Sequence, residues 1–115
     1  MRKFKSHMIG IAQGEVVMFN DFETGGPMWS GSGSRVAKKS VRFEEPFDEA
    51  PAVTVSVAMC DMSNEAYLRM ELCAEDITRD GFDIHFGTWG DTKIARTRVT
   101  WQAIGAISSE DAWDI

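Results

Sequence analysis

The stretch GFDIHFGTWGDTKIARTRVTWQAIG, residues 81–105, reads as two β-strands joined by a tight turn. Phe82, Ile84 and Phe86 occupy alternate positions in its first half, and Val99, Trp101 and Ala103 do so in its second. A repeat of two belongs to an extended chain, whose successive side chains point to opposite faces. Each strand therefore has one apolar face. The other face of the second strand carries Arg96 and Arg98. It is too basic to be buried on both sides, yet the strand is too apolar for a loop. Trp89 closes the first strand, and Gly90 and Asp91 supply turn chemistry directly after it.

The same repeat extends towards the N-terminus. Residues 52–60 (AVTVSVAMC) alternate, which assigns Val53, Val55, Val57 and Met59 to the core side. Residues 67–75 (YLRMELCAE) place Leu68, Met70, Leu72 and Ala74 inward. Residues 38–43 pair Val41 with Phe43, and residues 8–19 form a β-branched and aromatic run broken by Gly10 and Gly14. EEPFDEAP, DMSNEA and DITRDG turn the chain, and residues 20–34, rich in Gly, Ser and Asp, read as one long loop. No segment shows the 3.6-residue period of an amphipathic helix; the tail SSEDAWDI has room for one short turn at most. Six short strands, each with a single apolar face, predict an all-β fold, a six-stranded antiparallel β-sandwich.

A chain of 115 residues makes one domain, spanning 1–115. A domain of this size buries roughly 65% of the surface its unfolded chain exposes, so it needs no disulfide or metal to hold together. Eighteen acidic side chains against twelve basic ones give a net charge of −6, dispersed along the chain. That balance excludes nucleic acid as a partner, because such binders neutralise phosphates with basic patches. Cys60 and Cys73 form neither a C-x-x-C pair nor a cluster with histidine, so no zinc site is expected. MRKFKSHMIG has the charge of a signal peptide without the apolar run that should follow, and no apolar stretch is long enough to insert into a membrane. The expectation is a cytoplasmic protein with two free thiols, reaching the outside only by lysis or a non-classical route.

Catalytic readings find little support. The two histidines, His7 and His85, have no serine or cysteine beside them in a nucleophile context. The carboxylates cluster in turns, where solvation accounts for them. GSGSRV has the glycines of a phosphate loop but neither its Lys-Ser/Thr nor its helix, and DMSNE lacks the spacing of a calcium loop. No catalytic residue, metal or cofactor is assigned.

The strand faces opposite the core carry Glu71 and Cys73, then Asp83 and His85, then Arg96 and Arg98. Arginine among aromatics with few lysines is the composition of a protein–protein interface. Arg96, Arg98, Glu71 and His85 are accordingly expected to share one inter-subunit surface, with opposite charges paired across neighbouring strands.

Several segments in order, MWSGSGSR, VRFEEPF, PAVTVSVAMCDMSN, LRMELCAEDITRDGF and TWGDTKIARTRVTWQAIG, resemble the H-type lectin domain family. The resemblance covers about residues 9–106, leaving 1–8 and 107–115 as extensions. It implies a six-stranded antiparallel β-sandwich that assembles as a homotrimer, or as a hexamer of two trimers, with one sheet of each protomer around the three-fold axis. It also implies a glycan held between protomers, galactose-type or other. Arg69 after Leu68 matches the family's sugar-binding arginine, and Trp89 matches the tryptophan bordering the cleft. Gly90, before Asp91, stands where the family's snail agglutinins have a sugar-contacting histidine; Ser32 stands in place of their aspartate and Ala95 in place of a tyrosine. Trp29, in the Gly-rich loop, is a second aromatic available to a sugar ring. Two functions follow: a non-catalytic, carbohydrate-binding lectin, or a structural trimerisation module of a phage-like spike or fibre that binds no sugar.

Overall fold

The computed structural model describes residues 1–5 and 8–108. Apart from Ser108, the tail expected to hold at most one short turn lies outside them. Six strands follow in order: β1 (Met8–Asn20), β2 (Arg35–Arg42), β3 (Ala52–Met62), β4 (Met70–Glu75), β5 (Gly81–Thr88) and β6 (Ile94–Ile107). They form two three-stranded antiparallel sheets, ordered β1–β6–β3 and β2–β5–β4. The two sheets pack as the sandwich that the period of two predicts.

The inner faces meet through the side chains that alternation placed there. Phe82, Ile84 and Phe86 of β5 lie against Ile94 and Val99 of β6, with Val41 of β2, Met18 of β1 and Met28 completing the buried cluster. Phe19 meets Phe86 edge to face at 5.4 Å, and Phe82 meets Trp101 at 5.4 Å. Aromatic pairs at such separations and angles add to the area they bury.

Three details depart from the sequence reading. First, β5 and β6 do not pair. Each is the central strand of its own sheet, and the intervening residues 89–93 carry the chain across the sandwich. A strand with one apolar face looks alike in either sheet, so the pattern is silent on the choice. Second, β3 slips register between Val57 and Met59. Beyond this bulge Cys60 and Met62 face the core and Met59 does not; Val57, just before it, is exposed. An inserted residue inverts the faces of everything after it. Third, β4 begins only at Met70, so Leu68 lies before the strand and is exposed rather than inward.

The presumed loop 20–34 holds two four-residue helices, α1 (Asp21–Thr24) and α2 (Pro27–Ser30). Gly25 ends α1 at φ 68°, a left-handed conformation that suits a residue without Cβ. Pro27 opens α2 where a missing N–H costs nothing, and the Asp21 carboxylate accepts from Met28 N at 2.8 Å. Elements this short are invisible to periodicity.

Arg35, at the start of β2, ties this segment down. It is buried, and its guanidinium donates to the carbonyls of Gly33 (3.0 Å), Pro27 (3.1 Å), Met28 (3.3 Å) and Gly90 (3.1 Å). One rigid fork thus joins α2 to the turn between β5 and β6.

The two outer faces differ. That of β2–β5–β4 is charged: His85 Nε2 lies 3.2 Å from Glu71, Nδ1 lies 3.4 Å from Glu75, and Lys38 Nζ lies 3.2 Å from the other Glu75 oxygen. Cys73 pairs with His85 across the strands. That of β1–β6–β3 is mostly uncharged, with rows Ile11–Ile104–Ala52, Gln13–Gln102–Thr54 and Glu15–Thr100–Ser56. Arg96 and Arg98 lie on this second face, bonded to Asp61 (2.9 Å) and Glu15 (2.7 Å). The expected single surface of Arg96, Arg98, Glu71 and His85 is therefore corrected. The arginines and the Glu71–His85 pair occupy opposite sides of the sandwich, because β6 and β5 belong to different sheets.

Two predictions follow from this packing. Replacing Arg35 by Ala leaves buried carbonyls short of a donor and should cost about 2–4 kcal/mol. Arg35→Lys should restore only part of it, since an ammonium cannot span four carbonyls in one plane. Urea unfolding with an unchanged m value measures both. Cys73 is exposed, yet desolvation and the neighbouring Glu75 and Glu71 carboxylates raise its thiol above the ordinary value. Its alkylation by iodoacetamide near neutral pH should be slower than that of free cysteine, and the difference should vanish once the pH exceeds both values. Glu71→Gln removes one negative neighbour and should speed the reaction by roughly two- to fivefold.

Candidate functional site

Three connections meet at the end of the sandwich where β1 stops and β6 starts: the α1–α2 segment, residues 63–69 and residues 89–93. Gly90 stands at their junction with φ 71°, again left-handed. Its carbonyl accepts from Gly33 N at 2.9 Å as well as from Arg35. The Gly-rich segment containing Ser32 is thereby stitched to the turn containing Trp89 and Asp91.

From the other side comes Arg69, one residue before β4. Its Nη1 donates to Asp91 Oδ1 at 2.8 Å, and its guanidinium lies 5.6 Å from the centre of the Tyr67 ring. A Cβ built on Gly90 would stand 3.3 Å from the same Nη1, so a side chain at position 90 would crowd the arginine as well as strain the backbone. Both charges are substantially exposed, with 38% and 64% of their side-chain surfaces open. Such a pair is worth at most about 1 kcal/mol to stability; its consequence is orientation. Tyr67 is 74% exposed and Trp89 46% exposed. The result is a patch with directed N–H donors, carboxylate acceptors and two open aromatic faces. These are the elements that hold a polyhydroxylated ring, whose hydroxyls need both donors and acceptors and whose C–H face needs an apolar platform.

Of the residues singled out from the sequence, Arg69, Trp89, Gly90 and Asp91 lie together here. Ser32 is exposed and adjoins the Gly33–Gly90 link. Trp29 lies at the same end but is half-buried, edge to face with Phe22 at 5.2 Å and beneath the Lys93 ammonium at 4.9 Å. Its ring is engaged by its own segment and reads as packing. Arg96, Arg98, Glu71 and His85 lie on the sheet faces described above. Tyr67 and Arg35 went unrecognised in the sequence. The signal for Tyr67 was its position two residues before the arginine; an arginine opening a strand after a Gly-Ser run carries no signal of burial.

A cleft of about 620 Å³ opens elsewhere, between β1 and the segment after β2, lined among others by Gln13, Arg42, Phe43, Phe47 and Trp101. It holds none of the residues above. Phe43 and Trp101 in its floor are already engaged, with each other at 5.9 Å and with Phe82, so the cleft reads as a seam of the core.

Comparison with known proteins bears on this patch. The family model described as H-type lectin domain matches residues 38–104. A protein of Fuscovulum blasticum, named "ATP synthase subunits region ORF 7", is 48% identical over 107 residues, covering 93% of both chains. Discoidin-2 of Dictyostelium discoideum is 35% identical over 66 residues, 56% of this chain and 26% of that protein. The structure of wild-type discoidin II superposes with a TM-score of 0.74 at 26% identity over 88% of this chain, which spans 38% of that longer one. A tailspike protein from Pseudomonas phage LKA1 shares the fold, with a TM-score of 0.53 at 14% identity over 88% of this chain and 15% of that one. A family model over more than half the chain, a sandwich of two three-stranded sheets and the discoidin II fold agree: the chain belongs to the H-type lectin domain family.

Proposed function

We propose that the protein is a non-catalytic, carbohydrate-binding lectin that acts as an oligomer, with its glycan held at the Arg69 end between neighbouring protomers. The observation that carries this reading is the Arg69–Asp91 pair, with Tyr67 against the guanidinium and the exposed Trp89 on the same turn as Asp91, in an H-type lectin domain. The remaining guanidinium N–H groups donate to sugar hydroxyls, the Asp91 carboxylate accepts from them, and an indole covers a pyranose face. With Gly90 and Ser32 in the places of a histidine and an aspartate, the contacts differ from those of the snail agglutinins, and a galactose-type sugar is one candidate among neutral glycans. Weak single sites gain from several copies in one oligomer.

The outer face of β1–β6–β3 is the surface we assign to assembly. Two of its central rows are uncharged and Glu15 in the third is paired with Arg98, its arginines are already paired within the sheet, and Ile11 and Val17 stand 62% and 58% exposed. The charged face of β2–β5–β4 suits solvent. The second reading, an assembly module without sugar, draws on the same face.

The wild-type protein should sediment as a trimer or hexamer at micromolar concentration, and Gln102→Glu, which places charges around the axis, should release monomers. Titration with galactose and N-acetylgalactosamine, followed by tryptophan fluorescence, should show binding. Arg69→Ala should weaken it at least about tenfold, the value of one charge-assisted hydrogen bond, while the oligomer persists. A monomeric wild type removes the inter-subunit site; binding unaffected by Arg69→Ala places the sugar elsewhere; an intact oligomer silent on a glycan array leaves assembly as the function.

A further inference from the structure

We propose that Thr88 and Thr92 are the positioning residues of this site, two buried hydroxyls that hold Arg69 against the turn bearing Trp89 and Asp91. The inference rests on the reading of Arg69 as a sugar-binding residue. Arg69 lies outside the strand ladder, whose first pair in this sheet is Met70 with Thr88. The groups that a strand neighbour would bond are met by side chains instead. Thr92 is fully buried; its Oγ1 accepts from Arg69 N at 3.0 Å and donates to Tyr67 O at 2.6 Å. Thr88, 2% exposed, donates its hydroxyl to Arg69 O.

The directions follow from the groups. A backbone N–H can only donate, so the Thr92 oxygen must accept from Arg69, and its single proton is free for the Tyr67 carbonyl. Both main-chain polar groups of Arg69 thus end on threonine hydroxyls, and the carbonyl of the stacking Tyr67 ends on one of the same two. These threonines bracket the three residues 89–91. The outer positions of TWGDT grip the neighbouring segment from inside, while Trp89 and Asp91 face outward, and the Arg69–Asp91 bond closes the ring. Threonine suits the task because a β-branched side chain has few rotamers, which fixes where the hydroxyl points. Valine would keep the volume and lose both bonds.

The test uses the intact oligomer of Thr92→Val; should it fail to fold, Thr88→Val, which removes only the bond to the Arg69 carbonyl, is read by sugar affinity, and an undiminished affinity there overturns the role of Thr88. Two quantities are read: hydrogen exchange at the Arg69 amide, and affinity for galactose and N-acetylgalactosamine. In Thr92→Val the Arg69 amide should exchange at least about tenfold faster, and sugar affinity should fall by about the same factor, since a buried hydrogen-bond partner has been removed. Thr92→Ser keeps the hydroxyl and should recover most of both, which a loss of packing alone would not allow. Unchanged exchange at Arg69 in Thr92→Val overturns the clamp. Faster exchange with undiminished sugar affinity overturns its role in binding. Faster exchange in a protein whose wild type is silent on a glycan array supports the clamp while removing the lectin reading on which its function rests.

Discussion

Residues 89–93 must carry the chain from the centre of one sheet to the centre of the other. β5 has β2 and β4 on its flanks, and β6 has β1 and β3. Face-to-face sheets lie about 10 Å apart, a gap that five residues, reaching about 17 Å when extended, span with room for a sharp turn. Gly90 provides that turn in the left-handed region. Because both ends are central strands, the crossing sits over the middle of the sandwich, and the neighbouring connections arrive on either side. The α1–α2 segment reaches it through Arg35 and Gly33, both bonded to the Gly90 carbonyl. Residues 63–69 reach it through Arg69 and Asp91. The candidate site follows from this crossover: three loops that are far apart in sequence converge where the chain changes sheets.

The strands were legible because burial on one face writes itself into alternate residues. All six appear close to the spans that alternation marks. What alternation cannot carry is any feature that leaves the pattern intact. Ala58 fits the repeat as well as its neighbours do, yet the register slips there and sends Cys60 and Met62 inward. Sheet membership is equally silent, which is why Arg96 and His85 were assigned to one surface and lie on two. In the site, Arg69 and Trp89 were marked by resemblance to a family and not by their own pattern. Arg35 was missed because its partners are carbonyls. A guanidinium satisfied by backbone oxygens needs no acidic residue nearby and so leaves no complementary charge in the sequence. Backbone acceptors are present at every position, and only folding shows which four converge.

The outer faces differ in what burying them would cost. On β1–β6–β3, Arg96 and Arg98 each face a carboxylate of the adjacent strand, with N–O distances of 2.9 and 2.7 Å. Ions that are already paired can be covered by a neighbour while keeping their partners, whereas an unpaired charge could not be covered without several kcal/mol of desolvation. On β2–β5–β4, Glu71, Glu75 and Asp83 share the surface with Lys38 and His85, and Asp83 is bonded to the neutral Ser40 hydroxyl at 2.6 Å. Three carboxylates share this face with the Lys38 ammonium, the exposed Arg42 guanidinium and one imidazole. Stacking three such faces around an axis would bring like charges together. The apolar rim of Ile11 and Val17 points the same way, since large exposed aliphatic side chains gain by leaving water. The pairing Arg98–Glu15 also crosses from β6 to β1, and Arg96–Asp61 crosses from β6 to β3. Each arginine on the central strand is thereby anchored to a different edge strand. The face that burial favours is also one whose ion pairs tie its central strand to both edge strands.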